Sequence, residues 1–238
     1  MNSVLQTLRE QRQSDMHGGI YHRTQIEMAY NSNHIEGSRL THEQTRYICE
    51  TNTIGMAEGE GVNVDDIVET VNHFRCLDVV IEQAEDRLSE TLIKDLHRTL
   101  KTGTSDSRRS WFAVGEYKRL PNEVGGLDTT APEEVSNVMR NLLDDYPESP
   151  GLNDILDFHV RFERIHPFQD GNGRVGRLIM FKECLRSGIV PFIISDDMKF
   201  YYYRGLSNWP TIPGYLTDTC LTAQDRYKAL LDKFRINY

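Results

Sequence analysis

Apolar residues recur at helical spacing along almost the whole chain, and that period limits the fold more tightly than anything else in the sequence. Val64, Ile67, Val68, Val71, Phe74, Leu77 and Ile81 stand three and four apart and mark a long amphipathic helix. Leu92, Ile93, Leu96 and Leu100 mark another, closed by Gly103. Pro132 opens a third, with Val135, Val138, Met139, Leu142 and Leu143 inward. Ile155, Leu156, Phe158, His159, Phe162 and Ile165 line a helix that delivers His166, and Leu178, Ile179 and Leu185 continue inside until Gly188. A last helix carries Leu216, Leu221, Tyr227, Leu230, Leu231 and Phe234. The pattern predicts an all-α bundle without internal repeats.

Two stretches depart from it. Residues 54–61 are rich in Gly and Glu and read as an exposed connection. Residues 103–131 contain Gly115, Pro121, Gly125 and Gly126, with Phe112–Val114 and Glu116–Lys118 as short strand pieces; these residues fit a hairpin or a plain surface loop. The length of 238 residues suits one domain with extensions, or one domain and a small neighbour. A net charge of -9 argues against a general nucleic-acid or membrane-surface binder. No apolar run approaches a membrane span, and the first fifteen residues are too polar for a signal peptide. Cys49, Cys76, Cys184 and Cys220 lack paired spacing and read as reduced thiols of a cytoplasmic protein.

The densest chemistry lies at His166-Pro167-Phe168-Gln169-Asp170-Gly171-Asn172-Gly173-Arg174-Val175-Gly176-Arg177. An imidazole, a carboxylate, a Gly-Asn-Gly turn and two guanidiniums precede or open a helical pattern. Unpaired amides and the positive dipole end make a helix N-terminus attractive to anions, and glycines let the backbone come close to a phosphate. Good turn chemistry alone explains any one of these residues, but not all of them in register.

This run resembles the Fic-domain signature, His-x-Phe-x-Asp/Glu-Gly-Asn-Gly-Arg-x-x-Arg, and matches each specified position. The resemblance implies a Fic-type helical bundle over about 61–210, with a small β-hairpin flap (about 112–128) above an active-site loop at 166–177. It implies transfer of AMP from ATP to a hydroxyl side chain of a target protein and to the protein itself, with release of pyrophosphate. His166 would be the general base. Asp170 would bind Mg2+ or Mn2+, and Phe168 would anchor the loop. Gly171, Gly173 and the Asn172 side chain would cradle the phosphates, while Arg174 and Arg177 neutralise their charge. Within the flap, Val124, Gly125, Gly126 and Leu127 would touch the nucleotide, and a target protein would dock there by strand addition. Tyr202, Tyr203 and Asn208 are further nucleotide contacts on this resemblance, although an aromatic triplet at 201–203 also fits core plus surface. His159 reads as a packed core histidine.

A second element, Ser32-Asn33-His34-Ile35-Glu36-Gly37, closes a helix over about 24–37 within an N-terminal region spanning 1–60. Thr24 and Glu27 read as the capping box that starts that helix. Ser32 and Glu36 are four apart and share a face, which by itself fits a solvated polar stripe. The segment also resembles the inhibitory motif of Fic proteins, which implies that Glu36 pairs with Arg177 and displaces the γ-phosphate. Residues 211–238 read as a helical extension. Two alternatives to the transferase remain: removal of AMP with Glu36 activating water, and a nucleotide-binding regulatory module. The target and oligomeric state are not written in the sequence.

Overall fold

The computed structural model describes residues 3–55, 59 and 61–238, so half of the expected 54–61 connection lies outside the described residues, as does the Leu127 side chain. Ten helices form the described protein: α1 Ser3–Gln13, α2 Ile20–Ile35, α3 His42–Thr51, α4 Val64–Glu82, α5 Glu90–Lys101, α6 Pro132–Asp144, α7 Leu152–Ile165, α8 Asn172–Arg186, α9 Lys199–Asn208 and α10 Gly214–Lys233. One hairpin, β1 Glu123–Val124 with β2 Leu127–Asp128, lies between α5 and α6. The fold is all-α with a small flap.

Helix α8 is the axis. Every residue from Asn172 to Leu185 is buried, and α2, α4, α5 and α7 pack around it. A helix enclosed on all sides must pair its own charges, and Lys182 does so with Glu183 at 2.8 Å, while Glu183 also takes Arg186 at 2.9 Å. One apolar cluster runs from Val4 and Leu8 through Ile93, Leu96 and Val175 to Tyr227 and Leu231, so α1 and α10 share the core of the central helices.

Helix α2 begins a turn earlier than Thr24. Ile20 and Tyr21 are buried, and Gln11 Oε1 accepts from the Tyr21 amide at 3.0 Å, so packing against α1 sets the start in place of a local capping box. Thr24 instead pairs with the Tyr227 hydroxyl of α10 at 2.8 Å, and Glu27 takes Arg23 at 2.6 Å. A reciprocal capping box does start α3, between Thr41 and Gln44. Two expected inward positions face solvent: Val64 is the first residue of α4, and Leu221 sits on the outer side of α10. The expected strand pieces at 112–118 are turns. Phe112 and Tyr117 are buried there, and the chain pairs only after Pro121.

Candidate active site

Helix α7 stops at His166, whose φ of +50 turns the chain out of the helix, and α8 starts after Gly171 at φ +85. The six residues between them are locked by Asn172. Its Oδ1 accepts from the Phe168 amide and its Nδ2 donates to the Phe168 carbonyl, both at 2.8 Å. The side chain expected to cradle phosphate also holds the loop. Phe168 is fully buried and stacks on His97 of α5, with centroids 3.9 Å apart, as its anchoring role requires.

The His166 Nδ1–H points to the Glu163 carbonyl at 3.4 Å, which leaves Nε2 carrying the lone pair. Burial pushes this imidazole below its usual value, against the raising effect of that hydrogen bond, and the nearby Lys118 charge adds to the fall. The ring is a neutral base at physiological pH. Asp170 behaves oppositely. Burial would raise its carboxyl, but Arg174 and Lys101 outweigh that and hold it well below the usual carboxylate range.

Arg174 is buried and already engaged by Asp170 at 3.0 Å and by Glu69. Arg177 is buried too. Its Nε donates to Ser32 Oγ at 3.0 Å, and one terminal nitrogen donates to the Ser32 carbonyl at 2.9 Å and to Glu36 Oε1 at 2.7 Å. Ser32 and Glu36 thus sit on one face of α2 and grip one guanidinium. A Cβ at Gly173 would collide with Glu36 Oε1, so the carboxylate rests directly on the first turn of α8, where four amides lack helical partners. Behind Arg177, Glu163 keeps an unpartnered buried Oε1; burial first, then the Glu36 charge, push its carboxyl up to about 8.

The flap turns through Gly125 (φ +59) and Gly126 (φ +77), the two left-handed positions of a tight hairpin turn, with Val124 exposed beside them. Its base is stitched to the loop. The Lys118 amide donates to the Pro167 carbonyl at 2.8 Å, Asn122 Nδ2 to the Phe168 carbonyl at 3.0 Å, and the Leu120 amide to Gln169 Oε1 at 3.3 Å. The buried Lys118 ammonium bonds Asn122 at 2.6 Å, Thr129, and the Ile165 carbonyl at 3.3 Å; burial lowers it to about 8.

Tyr202 is buried, with its hydroxyl 2.6 Å from His159 Nε2 and its ring 5.9 Å from the Arg177 guanidinium carbon, so it supports the cradle from behind. Tyr203 is partly exposed on the same helix. The Asn208 amide bonds within α9, to the Arg204 carbonyl at 2.8 Å. Sequence reasoning passed over Glu69, His97, Lys101, Lys118 and Glu163. The signal existed for two of them: His97 and Lys101 lie four apart among the apolar residues of α5.

The donor chemistry at Asp170 fits a divalent cation held by one protein carboxylate: it is ionised, half-exposed and adjacent to the α8 N-terminus. Among the described residues, no group of three or more His, Cys, Asp or Glu is disposed to hold a metal ion by itself.

A helical core that presents a neutral imidazole, an ionised carboxylate and glycine-exposed amides at one helix end defines a class of anion-handling proteins equipped with a base. Residues 87–184 match the model of the Fic/DOC family, and this chain is a Fic-domain protein. It is 31% identical over 191 residues to protein adenylyltransferase Fic of Drosophila willistoni, covering 75% of this chain and 36% of that protein. The Nematostella vectensis protein of the same name is 28% identical, over 75% of this chain and 42% of its own length. The chain therefore spans well under half the length of these curated relatives. Among solved structures, a Fic domain containing signaling protein from Bacteroides thetaiotaomicron superposes with a TM-score of 0.75 at 25% identity, covering 95% of this chain and 94% of that one. C. elegans Fic-1 superposes at 0.70 and 20% identity, over 96% and 72% of the two chains. Among the described residues no helix is long and apolar enough to cross a membrane.

Proposed function

We propose that this protein transfers AMP from ATP to a hydroxyl side chain of a target protein, and to itself, and that Glu36 restrains the reaction. The observation that carries this reading is the Glu36 carboxylate lying against Gly173 and bonded to Arg177 at 2.7 Å: an acidic group occupies the anion seat of α8. The names of the curated relatives supply the class of reaction.

The target oxygen attacks the α-phosphorus of ATP. A new oxygen–phosphorus bond forms, the bond to the bridging oxygen breaks, and pyrophosphate leaves. His166 Nε2 accepts the hydroxyl proton, a task for which a neutral imidazole is matched. The amides at 171–173 and the Arg177 guanidinium take the negative charge of the polyphosphate. Asp170 would hold Mg2+ or Mn2+, which supplies charge neutralisation on the phosphates when bound. The flap, with Val124 to Leu127, would lie over the nucleotide and pair with an extended target segment. Tyr203, exposed on α9 and close enough to feel the Glu36 and Arg177 charges, would take the adenine face.

Glu36 would compete with the terminal phosphate for Arg177. The test compares wild type, Glu36→Gly and His166→Ala with ATP labelled at either the α- or the γ-phosphate. Label from the α position should enter protein, most strongly in Glu36→Gly and not in His166→Ala. Incorporation from the γ position would replace AMP transfer with phosphoryl transfer, and an unlabelled Glu36→Gly protein would leave only nucleotide binding.

A further inference from the structure

Lys101 closes α5 and is 2% exposed, yet its ammonium meets three carboxylates from three parts of the chain. Glu69 of α4 and Asp170 of the loop each lie at 2.6 Å, and Asp106 lies at 3.3 Å. Arg174 bridges Glu69 and Asp170 from the other side, so Oδ2 of Asp170 accepts from an ammonium and a guanidinium together. The stem is fixed. Asn72 Nδ2 donates to the carbonyls of Leu100 at 2.9 Å and Thr102 at 2.8 Å, and the ammonium lies 5.4 Å from the Phe112 ring centre. One turn earlier, His97 accepts the Gly115 amide on Nδ1 at 2.9 Å and donates from Nε2 to the Asp170 carbonyl at 3.1 Å. Helix α5 thus grips Asp170 at both its backbone and its side chain.

Three carboxylates converge on one point, and here an amino-acid side chain occupies it. We propose that Lys101 is a resident cation of the site: it holds the Glu69, Asp106 and Asp170 carboxylates in the nucleotide-free protein, so that a divalent ion enters only together with the nucleotide's phosphates. The inference rests on Asp170 being the metal ligand of the proposed transferase. Lys101 acts as a positioning residue, keeping Asp170 aimed while its neighbours are neutralised. With the ammonium removed, three carboxylates face one space, with Arg174 on Glu69 and Asp170 and Arg109 on the outer oxygen of Asp106 at 3.3 Å, and the free energy of relieving the remaining repulsion favours an external cation.

Mn2+ binding, read from the paramagnetic signal of the free ion, tests this on wild type, Lys101→Met, Lys101→Gln and Lys101→Arg, each with and without adenosine α,β-methylene triphosphate. Wild type and Lys101→Arg should bind Mn2+ only with the nucleotide. Lys101→Met and Lys101→Gln should bind it without nucleotide at least about tenfold more tightly than wild type, and their melting temperatures should rise with Mn2+ but not with KCl of equal ionic strength. Lys101→Gln retains one hydrogen-bond donor and serves where the Met variant does not fold. Mn2+ binding to nucleotide-free wild type, or neutral variants that fold and gain no affinity, overturns the role of Lys101. Wild type that binds no Mn2+ even with nucleotide removes the metal reading of Asp170, and the inference with it.

Discussion

On the proposed reading the first turn of α8 and the flap would serve the same reaction, and they are built in opposite ways. The α8 side is enclosed. Arg174 and Arg177 are buried, each is tied to carboxylates, and Asn172 spends both ends of its amide on the loop backbone. The flap has two paired residues on each strand, an exposed Val124 and a glycine turn. Its order comes from its base, where three hydrogen bonds join it to residues 167–169. Fixed geometry serves steps in which charge and proton positions matter, whereas backbone pairing tolerates varied partners. On the proposed reading, the chemistry would be specified by the fold and the choice of target by a thin edge.

The largest expected effect lies on the enclosed side. His166→Ala should lower AMP transfer by roughly 10²–10⁴-fold, the usual worth of a positioned general base, while calorimetry shows unchanged ATP affinity. A matching loss of affinity would mean that the imidazole holds the nucleotide. Glu36→Gly should act in the other direction. Deleting one partner of a buried ion pair is worth about 3–5 kcal/mol, discounted here because Glu36 is partly exposed, so a gain of about ten- to a hundredfold in self-labelling is expected. Equal rates in the two proteins would reduce the α2 contact to scaffolding.

A gentler probe is acid. Burial first, with the Arg177 charge next, lowers His73 and His159 to about 3 each, so both stay neutral in the folded protein. In the unfolded chain they take up protons near pH 6.5. Stability should therefore fall as pH drops from about 6.5 toward 3, by on the order of 1–2 kcal/mol per histidine at pH 5. Melting curves of wild type and His159→Gln at pH 7 and pH 5 measure this; a wild-type midpoint as pH-insensitive as the variant's would sink the His159 share. The smallest effect belongs to the flap. Gly126→Val puts a β-branched residue at φ +77, and it should raise the KM for a target protein a few-fold while leaving the melting temperature within about 2 °C. A large fall in melting temperature would show that the flap is part of the core.

The helices were legible because their apolar faces repeat, and the catalytic loop because its residues are contiguous. The Ser32–Glu36 grip on Arg177 needed the resemblance, since i,i+4 spacing gives a shared face but not the partner across 141 residues. The pairing of Lys101 with Glu69 was not legible. Each charge lies beside apolar residues of its own helix, and their meeting is created by the packing of α4 against α5. The start of α2 was misplaced for the same reason, because Gln11 of another helix supplies its cap. For Asn172, an amide suits a phosphate or a loop backbone equally well, and only coordinates show that Phe168 is its neighbour.

Gly173 has a consequence for how the proposed inhibition would be lost. The same missing side chain that lets Glu36 rest on α8 would let a phosphate do so, so a bulkier residue there excludes inhibitor and substrate alike. Selection for a more active protein therefore has no route through the cradle. Escape variants should accumulate on α2, at Glu36, Ser32 or the residues that seat them, and a random screen should return activating changes from one helix and inactivating ones from the other. The two faces of one contact are unequal targets for evolution.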